Sequence, residues 1–177
     1  MMKTTAVLFA AGIAFALTPA AATAQSAADL NDLEMAHVAY TADNIDIRYA
    51  HLALAISDNP TVRAFAETMI RDHTAVNEQV LALLAELDVQ AQDNFLSQQL
   101  LENAEVIIDE LSGLRGAAFD RRYAENELAY HQAVNALVGE TFIPNIENEQ
   151  VRALFEAGLN IFQAHEGHAA MMVESVN

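Results

Sequence analysis

Beyond about residue 28, apolar residues recur every three or four positions, the spacing that gathers side chains on one face of an α-helix. Met35, Val38, Ala42, Ile45, Tyr49, Leu52 and Ile56 form the first stripe and predict a helix over about 29–57. Asp58-Asn59-Pro60 ends it and starts the next, with Asn59 as N-cap and Pro60 in the first helical position, where no amide donor is needed. Val62, Phe65, Met69, Val76, Val80 and Leu84 carry the second helix to about residue 87. A shorter helix follows over about 94–112, capped by Asp93 and stopped at Ser112-Gly113. The fourth, about 117–142, buries Ala124, Leu128, Val134 and Val138, and Ile143-Pro144-Asn145 is read as the turn after it. The fifth, about 148–175, presents Val151, Phe155, Phe162, Ala169 and Met172.

Four of these helices are long, roughly 25 residues or about 37 Å each at 1.5 Å per residue. Short links join the first to the second and the fourth to the fifth, which makes antiparallel neighbours. The connection holding the short helix is long enough to cross the full length of a bundle. These features predict an all-α, ferritin-like four-helix bundle with a short extra helix in the long crossover connection, and the second and third long helices parallel. Residues 25–177 suffice for one domain with a proper core.

The first two dozen residues break the pattern. Lys3 precedes an uncharged apolar run from Ala6 to Leu17, then Pro19 and the small-x-small sequence Ala22-Thr23-Ala24. This is the form of a secretory signal peptide, residues 1–24, cleaved before Gln25. The run is too short for a membrane span, which needs roughly 20 residues. No cysteine follows to take a lipid, and the chain has none at all. The expectation is an exported protein, placed in the periplasm, with no span in the mature chain. Stability must then come from packing, and any metal site must use His, Asp, Glu or Met.

The full chain carries a net charge of −17, and loss of the lone lysine with the leader makes it more negative still. Such a surface repels nucleic acid and anionic headgroups and attracts cations or basic partners. Much of the charge needs no explanation beyond a solvated surface.

The informative residues are polar ones on apolar stripes. His73 lies between Met69 and Val76, His131 between Leu128 and Val134, and His165 between Phe162 and Ala169. Asp46 borders the first stripe beside Ile45. Counted along helices of the predicted directions, all four fall near mid-bundle. Glu127, one turn before His131, and Asp72, beside His73, can add carboxylates. Two readings fit this layer. Imidazoles and carboxylates converging from several helices are how bundles hold metal ions, and imidazole suits iron, copper and zinc. A buried hydrogen-bond network that fixes helix register needs no ion.

Asp120 and Tyr123, three apart, share a helix face and are expected to orient ligands or serve packing; so is His168, which forms a His-x-x-His pair with His165. His37 and His51 lie off the stripe and read as surface residues. Met69, Met171 and Met172 offer soft sulfur, for which packing is the ordinary use. There is no phosphate loop, His-Glu-x-x-His or nucleophile elbow.

Several segments carry a family resemblance: Ile45-Asp46-Ile47 ahead of His51-Leu52-Ala53-Leu54, Asn59-Pro60-Thr61-Val62-Arg63-Ala64-Phe65-Ala66, Met69-Ile70-Arg71-Asp72-His73-Thr74, Phe119-Asp120-Arg121-Arg122-Tyr123, and Gln163-Ala164-His165. The chain resembles, over about 31–175, the exported bacterial family named domain of unknown function 4142. The resemblance implies a ferritin-like bundle of the cell envelope and no particular activity. Asp46 stands where that family usually has glutamate, a shorter reach by one methylene. Di-iron bundle proteins use Glu-x-x-His on two helices. Here Glu127 precedes His131 by four residues and Ile70 stands three before His73, so a ferroxidase is not predicted. The expected protein holds a transition metal on Asp46, His73, Glu127, His131 and His165, with no catalytic residue assigned. The rivals are an envelope stress or interaction module with a structural polar layer, and a metal-dependent redox enzyme.

Overall fold

A computed structural model describes residues 25–177; the expected signal peptide, residues 1–24, lies outside them. Among the described residues the chain is helical throughout, and no helix is long and apolar enough to cross a membrane. The long helices are α1 (Asp32–Ile56), α2 (Pro60–Glu86), α4 (Gly116–Ala136) and α5 (Glu149–Val176), with the shorter α3 (Phe95–Ser112) in the crossover. Two ties set the directions. Asp32 at the start of α1 accepts the amides of Glu147 and Asn148 at the start of α5, so these two helices begin at one end. Ser57, just past α1, donates to Asp120 near the start of α4 at 2.5 Å, so α2 and α4 begin together at the other. The predicted all-α bundle with parallel second and third long helices is therefore the observed one. α3 climbs the outside of α1, held at one end by His37 Nδ1 with Ser97 Oγ (2.9 Å) and further along by Arg48 with Glu105 (2.7 Å).

Asparagines start most of these helices. Asn31, Asn59, Asn94 and Asn148 each accept from two amides of the first turn, satisfying donors with no partner inside the helix. The predicted cap of α3 was one residue early: Asn94 is the cap, and Asp93 accepts instead from Gln98. Gly116 opens α4 at φ +54°, a left-handed backbone that glycine adopts without strain. The turn expected at Ile143-Pro144-Asn145 is also displaced. α4 continues through a wider π-helical segment, Leu137–Phe142, in which the Ile143 amide reaches back five residues to Val138, and Ile143–Asn145 remain helical. Proline cannot donate and its ring clashes with the carbonyl four residues back; the wider turn relieves that clash, so the chain leaves the helix only after Pro144.

The core is divided. One apolar cluster around Tyr49, Phe65, Met69, Phe119, Tyr123 and Met172 fills the end where α2 and α4 begin. Another, around Met35, Val38, Phe142 and Phe155, fills the opposite end. Between them lies a buried polar layer.

Candidate metal centre

Each long helix sends polar side chains into this layer from mid-length. α1 supplies Asp43 and Asp46, α2 His73, α4 Glu127 and His131, and α5 His165; all six are buried, Asp46 and Glu127 completely. They are polar residues on stripes that are otherwise apolar, so the packing that buries the stripe buries them too. The three imidazole rings meet, with centroids 5.3–5.9 Å apart, and His73 stacks on Phe162 at 4.8 Å.

Each imidazole is held by one nitrogen. His73 Nδ1 bonds Asp43 Oδ1 at 2.7 Å, His131 Nδ1 the Glu127 backbone carbonyl at 2.9 Å, and His165 Nε2 Asp72 Oδ2 at 3.0 Å. The partners are two carboxylates and a carbonyl, so the ring nitrogen is the donor in each case. This leaves His73 Nε2, His131 Nε2 and His165 Nδ1 facing inward: Asp46 Oδ2 lies within ion-pair distance of the first two, at 3.0 and 3.3 Å, while His165 Nδ1, Asp46 Oδ1 and both oxygens of Glu127 have no hydrogen-bond partner. One ligand-capable atom from each of the three histidines lies within 4.8 Å of the others, and the same holds for Asp46, Glu127 and His131. A point central to three such atoms is within about 2.8 Å of each, so contraction of under about 1 Å reaches an ordinary metal–nitrogen bond of ~2.0–2.1 Å. Donation of the second nitrogen to an oxygen is the support that metal-ligating histidines use.

The charges are uneven. Burial alone would push His73 down, but Asp46 and Asp43 more than offset it and raise the ring to about 10. Burial dominates at His131, which is lowered, and at His165, lowered to about 4. Burial also opposes the charge on Asp46, yet the surrounding imidazoles, His73 first, hold its carboxyl below the usual range. Glu127 goes the other way: burial, then the charge of Asp46, raise it well above an ordinary glutamate. The ion-free layer thus favours a charged His73 between Asp43 and Asp46, a Glu127 carboxyl that holds its proton more tightly than usual, and the neutral form of the other two imidazoles.

The profile of the family described as domain of unknown function (DUF4142) matches residues 17–172. The chain belongs to this family. No curated protein sequence matches significantly. Among solved structures, "CopM in the Cu(II)-bound form" is similar to this DUF4142 chain with a TM-score of 0.63 and 13% identity, over 84% of this chain and 99% of that one. At that identity the likeness is one of fold.

The DUF4142 bundle brings five sequence-predicted residues, Asp46, His73, Glu127, His131 and His165, into one layer. Asp46, shorter by one methylene than glutamate, reaches two of the imidazoles: its Oδ2 lies 3.0 Å from His73 Nε2 and 3.3 Å from His131 Nε2. Asp72 supports His165 and is itself gripped by Arg71 at 2.7 Å, which holds its carboxyl below the usual range. Three other residues have different surroundings. Asp120 is taken up by Ser57 at the end of the bundle, about two turns of α4 from Glu127. Tyr123 is fully buried, stacked on Phe119, with a hydroxyl that has no partner. His168 is exposed and points away from the layer that holds His165. His37, read as a surface residue, is half-buried against Ser97, whereas His51 is exposed. Sequence reasoning missed Asp43. Its signal was available, because it lies three residues before Asp46 and shares its helix face.

Proposed function

We propose that this protein is exported to the periplasm and holds one first-row transition ion in the buried layer, without turning over a substrate. His73 Nε2, His131 Nε2 and His165 Nδ1 are the principal ligands, completed by Asp46 or Glu127. The observation that carries this reading is the convergence of three buried imidazoles and two buried carboxylates, in two groups of three whose donor atoms lie within 4.8 Å of one another, with His165 Nδ1 and both Glu127 oxygens lacking hydrogen-bond partners. Each such buried group costs about 1–3 kcal/mol. Several such groups together are a large fraction of the stability of a domain, about 5–15 kcal/mol. A bound ion repays that cost, since apparent binding energies of structural zinc reach about 10–16 kcal/mol.

Three imidazoles favour copper, zinc or iron over magnesium or calcium. Copper(II) is the first ion to test, because it heads the divalent affinity order and because the similar CopM fold is described in a Cu(II)-bound form. Bound there, the ion would bring Lewis acidity, and redox capacity if it is copper or iron. The chain's own contribution is to fix the rings and exclude water. Burial of every ligand supports holding or buffering the ion over open-site catalysis. The leader pattern of residues 1–24 supports export.

One observation favours the rival network: burial and the charge of Asp46 raise Glu127, which favours a proton shared between the two carboxyls. Electron paramagnetic resonance of the protein with one equivalent of copper(II) separates the two. Metal binding predicts hyperfine structure from about three imidazole nitrogens, absent in His73→Ala/His165→Ala. A spectrum of aqueous or surface copper would leave the layer as a network.

A further inference from the structure

We propose a second metal site on the outside of the bundle, formed by His168, Met171 and Met172, that takes copper(I). The three side chains line one groove of about 430 Å³ between α5 and α2, whose other wall is Thr61, Ala64, Phe65 and Thr68. Along α5 they stand at i, i+3 and i+4, the positions that meet on one helix face. Methionine in a bundle normally fills core space, and Met172, 1% exposed, does so, packed in the apolar cluster with Met69 while lining the floor of this groove. Met171 does not: it is 59% exposed, one turn from an exposed imidazole.

Two thioethers and one imidazole make a soft, neutral donor set. Thioether sulfur selects copper(I) among biological ions, while divalent zinc or iron prefers the imidazole and carboxylate layer inside. Thioethers need no deprotonation, so the site keeps two of its three ligands in acid. Phe65 and Ala64 keep the groove apolar, and the acidic chain draws cations toward it. The site is separate from the inner layer but close to it. Phe65 forms the groove wall on one side and meets the His131 ring edge-on at 6.3 Å on the other, so one aromatic side chain stands between them.

The proposal does not rest on the buried layer, and its test is arranged accordingly. The mature chain is labelled with ¹³C at the methionine methyls and titrated with silver(I), a redox-inert probe of copper(I) sites. The first equivalent shifts the methyl signals of Met171 and Met172 and leaves those of Met35 and Met69 in place. The same shifts occur in His73→Ala/His165→Ala, and they are lost in His168→Asn/Met171→Leu, whose two changes lie at exposed positions. If that inner variant does not fold, the wild type and the outer variant decide the matter. Unmoved Met171 and Met172 signals, or shifts that survive in the outer variant, overturn the proposal.

Discussion

The orientation of His73 turns on Asp43. The 2.7 Å bond to Nδ1 fixes the ring so that Nε2 faces inward, and no other residue of α1 takes that role. Asp43→Leu removes the acceptor and retains the bulk. We predict that affinity for the bound ion falls about 10–100-fold, measured by competition with a chelator, while far-ultraviolet circular dichroism is unchanged; undiminished affinity would show that Asp43 does not orient the ligand. His73 also makes the ion-free protein sensitive to alkali. Between pH 6.5 and about 10 the folded chain keeps the His73 proton and the unfolded chain has lost it. Glu127, raised by burial and by the charge of Asp46, acts in the same direction. Stability is therefore lost as pH rises through this window. Melting of chelator-treated protein should occur at lower temperature at pH 9.5 than at pH 6.5, and a flat or rising trend would contradict the charge assignment. The four inward polar residues, one to a long helix, were legible because they interrupt apolar stripes. Asp43 was missed although it shares the face of Asp46, because aspartate beside a stripe reads as solvated until the helix packed against it is known. Asp120 was misleading for a related reason: a shared face with Tyr123 says nothing about height, and its partner Ser57 lies beyond a helix end.

At the scale of helices, caps decide where the chain turns. Asn94 accepts from two amides of α3 and donates through Nδ2 to the Glu34 carbonyl of α1, joining the crossover to the bundle. Asn94→Ala should destabilise the fold by about 1–2 kcal/mol, read from urea unfolding, and Asp93→Ala by clearly less. Equal effects would return the cap to Asp93. Sequence put the cap on Asp93, one residue early, because two cap formers stand side by side here and backbone angles decide between them. The end of α4 shows a second limit. A proline near the end of an apolar stripe signals a stop, yet a π-helical segment carries the chain past it.

Over the whole molecule, topology was legible from loop lengths: two short links and one long crossover admit few arrangements of four helices. The polar layer that divides the core was legible in position and not in purpose, since an ion and a hydrogen-bond network require the same residue types. What separates them is which nitrogen of each ring is already engaged, and that emerges only from packing. A core split in this way should gain strongly from an occupant. At free ion about a thousandfold above the dissociation constant, binding adds about 4 kcal/mol, or roughly 8–16 °C in melting temperature for a domain of this size. Loading at neutral pH should also release the proton of His73, and a second where Glu127 rather than Asp46 completes the site. Calorimetry in buffers of different ionisation enthalpy measures that number, and no release would mean that neither residue becomes a ligand. The most direct test of the central claim is the metal content of the chain expressed with its leader and purified untagged, without chelator, beside His73→Ala/His165→Ala. The account predicts close to one transition ion per wild-type chain and its loss in the variant. A wild type that carries no metal, and takes up none when offered copper, zinc or iron, would contradict it.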